Sequence, residues 1–315
     1  MSRPAVVSPG RRAAFAALAA LAGLALALAG CDRTPPEREL QYRATPPVAA
    51  PAAYRFAVHP LHNPKLLSAA YQPLLDHLNG RLDGVRLELE ASRDYAAYEA
   101  KIRARGPEFL LPNPWQAIQA IGAGYHVIGM AGDAADFRGL IVVRKDSPVV
   151  SPADLRGQTV AYPSPTALAA CVMPQYFLHR AGLDINRDIR NTYVGSQQSA
   201  IMNVHLGRAA AAGTWPAAWR LFQRDHPQEA AGLKVQWETP PLMNNAVMVR
   251  DDVPPAVADA VRRLLLELAD APGGPAILAG MATARFHAAD DASYDKVRDY
   301  IAAFEREVRP VEVQP

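Results

Sequence analysis

The sequence predicts a two-lobed α/β protein, with mostly parallel central sheets flanked by helices and two chain crossings between the lobes. Three observations predict it. Strand and helix patterns alternate from Tyr54 onward, the pattern restarts near Ser147, and a Pro-bounded passage at Thr239-Pro240-Pro241 precedes a tail with too few strands for a sheet of its own. About 260 residues follow Ala53, more than a single core usually holds. The expected organisation is 1–30 as a leader, 31–53 as a tether, 54–146 as the first part of lobe 1, 147–240 as lobe 2, and 241–315 as the return to lobe 1 with terminal helices.

Tyr54–Val58 alternates and stops at His59-Pro60, as a strand does. Leu66, Leu67, Ala70, Tyr71, Leu74, Leu75 and Leu78 then recur at helical spacing as far as Gly80. Val85–Glu90 alternates again, and Asp94 can cap a helix running through Arg103. Glu108–Leu111 is a short strand broken by Pro112-Asn113-Pro114, after which Trp115–Ile121 turns helical. His126–Met130 and Leu140–Val143 supply further strands. In the second unit, Ser151 to Gly157 has a capping Ser, a Pro at the first helical position and a closing Gly. Thr159–Tyr162 reads as a strand and Thr166–Ala181 as a helix, and Asn191–Gly195 leads to Ser196 as the cap of a helix reaching Leu206. Ala209–Ala212, Trp215–Arg224 and Lys234–Glu238 continue the alternation, and the tail adds a strand at Ala246–Val249 and an amphipathic helix at Tyr294–Arg306. In such architectures ligands lie in the crevice at the carboxyl ends of the strands.

The compartment is read from the leader. Arg11-Arg12 precede an apolar run from Ala13 to Ala29, too short and Ala-rich for a bilayer span and suited to a secretory h-region. Leu28-Ala29-Gly30-Cys31 resembles a bacterial lipobox, which implies cleavage before Cys31 and a lipid on its thiol. Asp32 behind it resembles an inner-membrane retention signal, so the body is expected at the periplasmic face of the membrane. The chain has 33 Lys+Arg and 31 Asp+Glu; losing Arg3, Arg11 and Arg12 leaves 30 against 31, a net charge of −1. No polybasic stripe remains, which argues against nucleic acid as a partner. Cys31 and Cys171 are the two cysteines, so a lipidated Cys31 excludes an intrachain disulfide.

Five segments carry a family resemblance: Phe56-Ala57-Val58-His59-Pro60, Ser92-Arg93-Asp94-Tyr95, Val142-Val143-Arg144-Lys145-Asp146-Ser147, Asp154-Leu155-Arg156-Gly157-Gln158-Thr159-Val160-Ala161 and Pro241-Leu242-Met243-Asn244-Asn245. From about Tyr54 to Glu307 the chain resembles the phosphate, phosphite and phosphonate solute-binding proteins of ABC importers. The resemblance implies a type II periplasmic-binding-protein-like fold, a small-molecule ligand, an ABC permease as partner, no cofactor, no catalysis and a monomeric body. A ligand-sensing subunit serving a membrane sensor kinase would use the same hinge and anchor. The ligand motif departs from the family. Where its members carry a Ser-Thr-Ser-Gly run, this chain has Ala167-Leu168-Ala169-Ala170; where they carry a His after Gly-Ser, it has Gln197; and an acidic residue of the next loop is replaced around Thr214-Trp215. Each lost donor to a charged oxygen is worth ~1.5–3 kcal/mol, so a simple phosphonate is disfavoured.

The loop ends offer other contacts. Asn113 and Trp115 follow a buried-looking strand, with helix capping and core packing as the competing roles. Ser196 and Gln197 open a helix toward the crevice, where Ser196 has capping as its alternative role. Thr214 and Trp215 follow the Ala-rich strand, and Trp115 and Trp215 are expected to sandwich an uncharged or weakly anionic solute. His59 sits at the rim, Thr166 is the hydroxyl left at the altered helix start, and Asn245 lies at the return crossing. No HExxH or paired metal-ligand spacing occurs among the eight His residues. Cys171 lies within a helix, either as core or as a contact for a soft metal or arsenite-like ligand.

Overall fold

The computed structural model describes residues 51–61 and 64–312. The leader, Cys31 and the tether as far as residue 50 lie outside the described residues.

In chain order the first lobe is laid down as β1 (Ala52–Val58), α1 (Pro64–Asn79), β2 (Val85–Glu90), α2 (Tyr95–Arg103), β3 (Phe109–Leu111), α3 (Pro114–Gly122) and β4 (Tyr125–Ala131). The second follows as β5 (Leu140–Arg144), β6 (Thr159–Tyr162), α4 (Met173–Arg180), β7 (Arg190–Tyr193), α5 (Gln197–His205), β8 (Ala211–Thr214), α6 (Pro216–Asp225), α7 (Pro227–Ala231) and β9 (Leu233–Glu238). The chain returns through β10 (Asn245–Arg250), α8 (Pro255–Glu267), α9 (Gly274–Gly280), β11 (Phe286–His287) and α10 (Asp295–Glu307). Local chemistry accounts for the helix starts. The Asp94 side chain accepts from the Ala97 amide at 2.8 Å, and Asn113 forms a capping box with Gln116 at the head of α3. The apolar stripe of α1 buries Leu67, Tyr71, Leu74, Leu75 and Leu78.

The two sheets share one strand plan. The first runs β11-β4-β10-β3-β1-β2 and the second β7-β6-β8-β5-β9. In each, a central strand pairs in parallel on both sides, as β1 does with β2 and β3 and β6 with β7 and β8. In each, one antiparallel strand is inserted next: β10 between β3 and β4, and β5 between β8 and β9. That inserted strand is the first one laid down after a crossing from the other lobe.

This corrects two expected boundaries. Leu140–Arg144 belongs to the second sheet, so the first crossing falls between Ala131 and Leu140 rather than at residue 146. The tether also ends earlier than residue 53, because Ala52 already pairs with Val85. The second crossing occupies 239–244, between β9 and β10, and the terminal helices pack on the first lobe, with Val261, Leu264, Val297, Ile301 and Phe304 in its core.

The helix expected over Thr166–Ala181 is interrupted. Leu168–Val172 forms a π-helical turn, with the Ala167 carbonyl accepting from Cys171 at 2.7 Å and Val172 at 3.3 Å, before α4 begins. Pro174 explains part of this. It has no N–H to give the Ala170 carbonyl four residues back, so that oxygen is left to pack outward. It packs against Gly213 of β8, where an added Cβ would collide with the Ala170 oxygen and lie 2.8 Å from the Tyr162 ring. A Cβ on Gly139 would likewise meet Pro174 Cδ at 2.8 Å and the Ala169 oxygen at 2.9 Å. Two glycines thus admit this turn to the middle of the molecule.

Gly213→Ala is expected to lower unfolding free energy by about 2–3 kcal/mol, since the colliding atoms are backbone and cannot rotate away. Urea titration measures it; a loss within experimental error would mean that the turn has room to retreat.

Candidate functional site

The carboxyl ends of the parallel strands point at one another across the seam. His59 follows β1 and is fixed by its ring Nδ1–H, which donates to the Leu111 carbonyl at 2.9 Å. Tyr95 opens α2 beyond the end of β2, and Asn113 follows β3. From the other lobe come the Ala167–Ala170 turn after β6, Gln197 after β7 and Trp215 after β8. The two antiparallel strands enter at this same end, so the residues before or at their starts, Phe137 and Asn245, reach it too.

These groups line a cavity of about 10 Å³, near the volume that admits a single water. The lobes therefore meet closely, with no room for a solute between them. Among the described residues, no Lys, Arg, Asp or Glu lines the cavity. Trp215 packs on Phe137 with centroids 5.6 Å apart. The Gln197 amide donates to the Tyr95 hydroxyl at 3.3 Å across the seam and accepts from the Thr214 hydroxyl at 3.2 Å. Burial pushes the Tyr95 phenol well above its ordinary value, which keeps the hydroxyl neutral. Asn245 is 3% exposed, and its Oδ1 is buried without a hydrogen-bond partner.

Of the residues expected here, His59, Asn113, Gln197, Trp215 and Asn245 are brought together. The others are placed elsewhere or used otherwise. Trp115 does not face Trp215: it lines a separate groove with α2 and α10, so the expected aromatic sandwich is not formed. Thr166 is fully buried beside the cavity, its hydroxyl donating to Glu99 Oε1 at 2.5 Å and its carbonyl accepting from Asn113 at 3.2 Å. Thr214 orients Gln197 rather than lining the cavity. Ser196 is the N-cap of α5, accepting from the Ser199 amide at 3.1 Å. Cys171 turns into the core of the second lobe, 3.6 Å from Arg309, with burial pushing its thiol up to about 12. It does not line the cleft, which removes the geometry for a soft-metal ligand held there through Cys171.

Sequence reasoning missed Tyr95, Phe137 and Glu99. Tyr95 was accessible to it, as the first residue after the capped end of a strand loop. Phe137 was not, because its position follows from β5 lying in the second sheet. Glu99 sits on α2, 4% exposed, and joins the lobes by accepting from Thr166 and, at 3.0 Å, from Gln116.

In architectures of this kind ligands lie in the crevice at the carboxyl ends of the strands, where the two lobes face each other. The chain belongs to the family of ABC-transporter phosphonate periplasmic substrate-binding proteins, whose model matches residues 56–294. It is accordingly a non-catalytic, extracytoplasmic component of solute transport. Its fold is similar to a binding protein component of an ABC phosphonate transporter from Pseudomonas aeruginosa, at 17% identity and TM-score 0.75 over 82% of this chain and 88% of that one. It is also similar to PhnD1 from Prochlorococcus marinus, solved with methylphosphonate, at 18% identity and TM-score 0.73 over 81% and 99% of the two chains. A Xanthomonas citri protein solved with chloride matches at 22% identity and TM-score 0.66 over 81% and 98%.

Burial lifts the Glu99 carboxyl above its ordinary value despite the bonds from Thr166 and Gln116. Its contribution to stability is thus fully present below the unfolded-state pKa and is lost as pH rises through the raised folded-state value. Glu99→Gln should therefore gain stability relative to the parent as pH rises from the unfolded-state carboxyl range through the raised folded-state value, measured by urea denaturation across pH. Parallel profiles for the two proteins would show that the carboxyl titrates as it does in the unfolded chain.

Proposed function

We propose that the protein captures a small solute, uncharged or at most weakly anionic, that donates a hydrogen bond to Asn245 and rests against Trp215, and delivers it to an ABC permease. The orphaned Oδ1 of Asn245 carries this reading. A buried acceptor left unpaired costs about 1–3 kcal/mol, which a ligand N–H or O–H relieves on binding. Trp215 and Phe137 offer apolar surface, and Gln197 and Tyr95 add neutral polar groups. A dianion is poorly served, because no Lys or Arg among the described residues lines the cleft and methyl groups stand at Ala167, Ala169 and Ala170.

Asn245→Leu tests the reading by removing the orphan while keeping the volume. Calorimetry with the solute that copurifies with the parent should show capture weakened ~10-fold or more, with thermal stability unchanged or raised. Methylphosphonate should bind the parent with a dissociation constant above ~10 μM. Undiminished capture by the variant, or a submicromolar methylphosphonate constant in the parent, would contradict the proposal; the latter would mean that backbone amides at Ala167–Ala170 hold the oxyanion.

The same reading places a lipid on Cys31 and the body at the periplasmic face of the membrane. Its support is the h-region closing in Leu28-Ala29-Gly30-Cys31, with Asp32 favouring the inner membrane. Cys31→Ser should abolish the acyl modification, read by mass spectrometry of the N-terminal peptide; a lipid still present in that variant would rule the Cys31 anchor out.

A further inference from the structure

We propose that the groove behind α3 is a second small-molecule site, one that takes an elongated zwitterion with an ammonium at one end, a carboxylate at the other and an apolar chain between them. The groove lies between α2, α3 and α10, encloses about 470 Å³ and shares no lining residue with the interlobe cleft. Its volume is in the range of small-ligand sites, and its cube root gives a width of roughly 8 Å.

The charges are arranged by depth. Glu99 lies at the bottom, 4% exposed, and both of its hydrogen bonds end on Oε1. Oε2 takes none from the described residues, so the carboxyl keeps accepting capacity toward the groove. The sides are apolar, with Ile102 and Trp115 facing Ile301 of α10. Arg103 and Arg298 stand exposed at the rim, on helices from opposite sides. The other acid of the groove, Glu305, is exposed and accepts from the Val311 amide at 3.1 Å.

That order selects among ligand classes. A lone anion meeting the rim arginines would bring negative charge toward a buried carboxyl, where screening is weakest. A lone cation seated on Glu99 would bring positive charge toward the rim guanidiniums, of which Arg298 has Asp295 at 4.0 Å. An ammonium on Glu99, methylenes along Trp115 and the isoleucines, and a carboxylate between Arg103 and Arg298 satisfy all three zones. Burial has lifted the Glu99 pKa, and a bound ammonium would draw it back down, so binding should strengthen as the carboxyl ionises.

The probes are 6-aminohexanoate, hexylamine and hexanoate, titrated calorimetrically into the folded protein. 6-Aminohexanoate should bind with a submillimolar constant, and each singly charged analogue ~10-fold or more weakly. Glu99→Gln and the exposed Arg103→Gln, both checked for an intact melting transition, should each weaken it ~10-fold, while Asn245→Leu in the cleft should leave it unchanged. The proposal is overturned by hexylamine binding as well as the zwitterion, by affinity that survives Glu99→Gln or Arg103→Gln, by affinity lost in Asn245→Leu, or by no binding at ~10 mM.

Discussion

The approach of the Ala167–Ala170 turn to the first lobe is the contact on which the rest of the arrangement depends. Leu168, Ala169, Val172, Met173 and Tyr176 belong to the second lobe by sequence, yet they are packed into the core of the first. The turn reaches that position because three of its side chains are methyl groups, because Gly139 and Gly213 have no Cβ to block its carbonyls, and because Pro174 releases the Ala170 oxygen from helical pairing. Larger or more polar residues in this turn would either hold the lobes apart or bury unsatisfied groups. The terminal segment reinforces the seam from the side. Tyr176 lies edge-on to Tyr300 and Phe304, and Arg309 reaches Gln175 at 2.8 Å.

The same residues set the chemistry of the cleft. The methyl groups of Ala167, Ala169 and Ala170 offer no side-chain donor to a charged oxygen. What remains polar there is held by partners within the protein: Gln197 by Thr214 and Tyr95, His59 by Leu111, Asn113 by Gln116 and Thr166. Among the described residues lining the cavity, Asn245 is the exception, its Oδ1 buried without a hydrogen-bond partner.

The elements were legible because apolar periodicity and capping chemistry are local. Asp94, the Pro112-Asn113-Pro114 break and the Thr239-Pro240-Pro241 passage marked real ends. Sheet membership was not legible: Leu140–Val143 reads as a strand either way, and only its pairing with β8 and β9 assigns it to the second lobe. The candidate site divided along the same line. Residues directly at strand ends, such as His59 and Asn113, arrived where topology sends them. Trp115 did not, because two residues further along a helix turn a side chain by roughly 200°, away from the cleft. Thr166 failed for another reason. Its backbone is in place, but a buried carboxyl on the opposite lobe, Glu99, has claimed the hydroxyl.

Native mass spectrometry of the protein isolated from the periplasm, followed by identification of the released solute, tests the central claim most directly. One small molecule per chain, neutral or weakly anionic and bearing an N–H or O–H donor, is the result predicted by a cleft that no Lys or Arg of the described residues lines and where Asn245 Oδ1 is unpaired. A bound phosphate or alkylphosphonate would contradict it, and would place the oxyanion on backbone amides that the side-chain chemistry leaves without support.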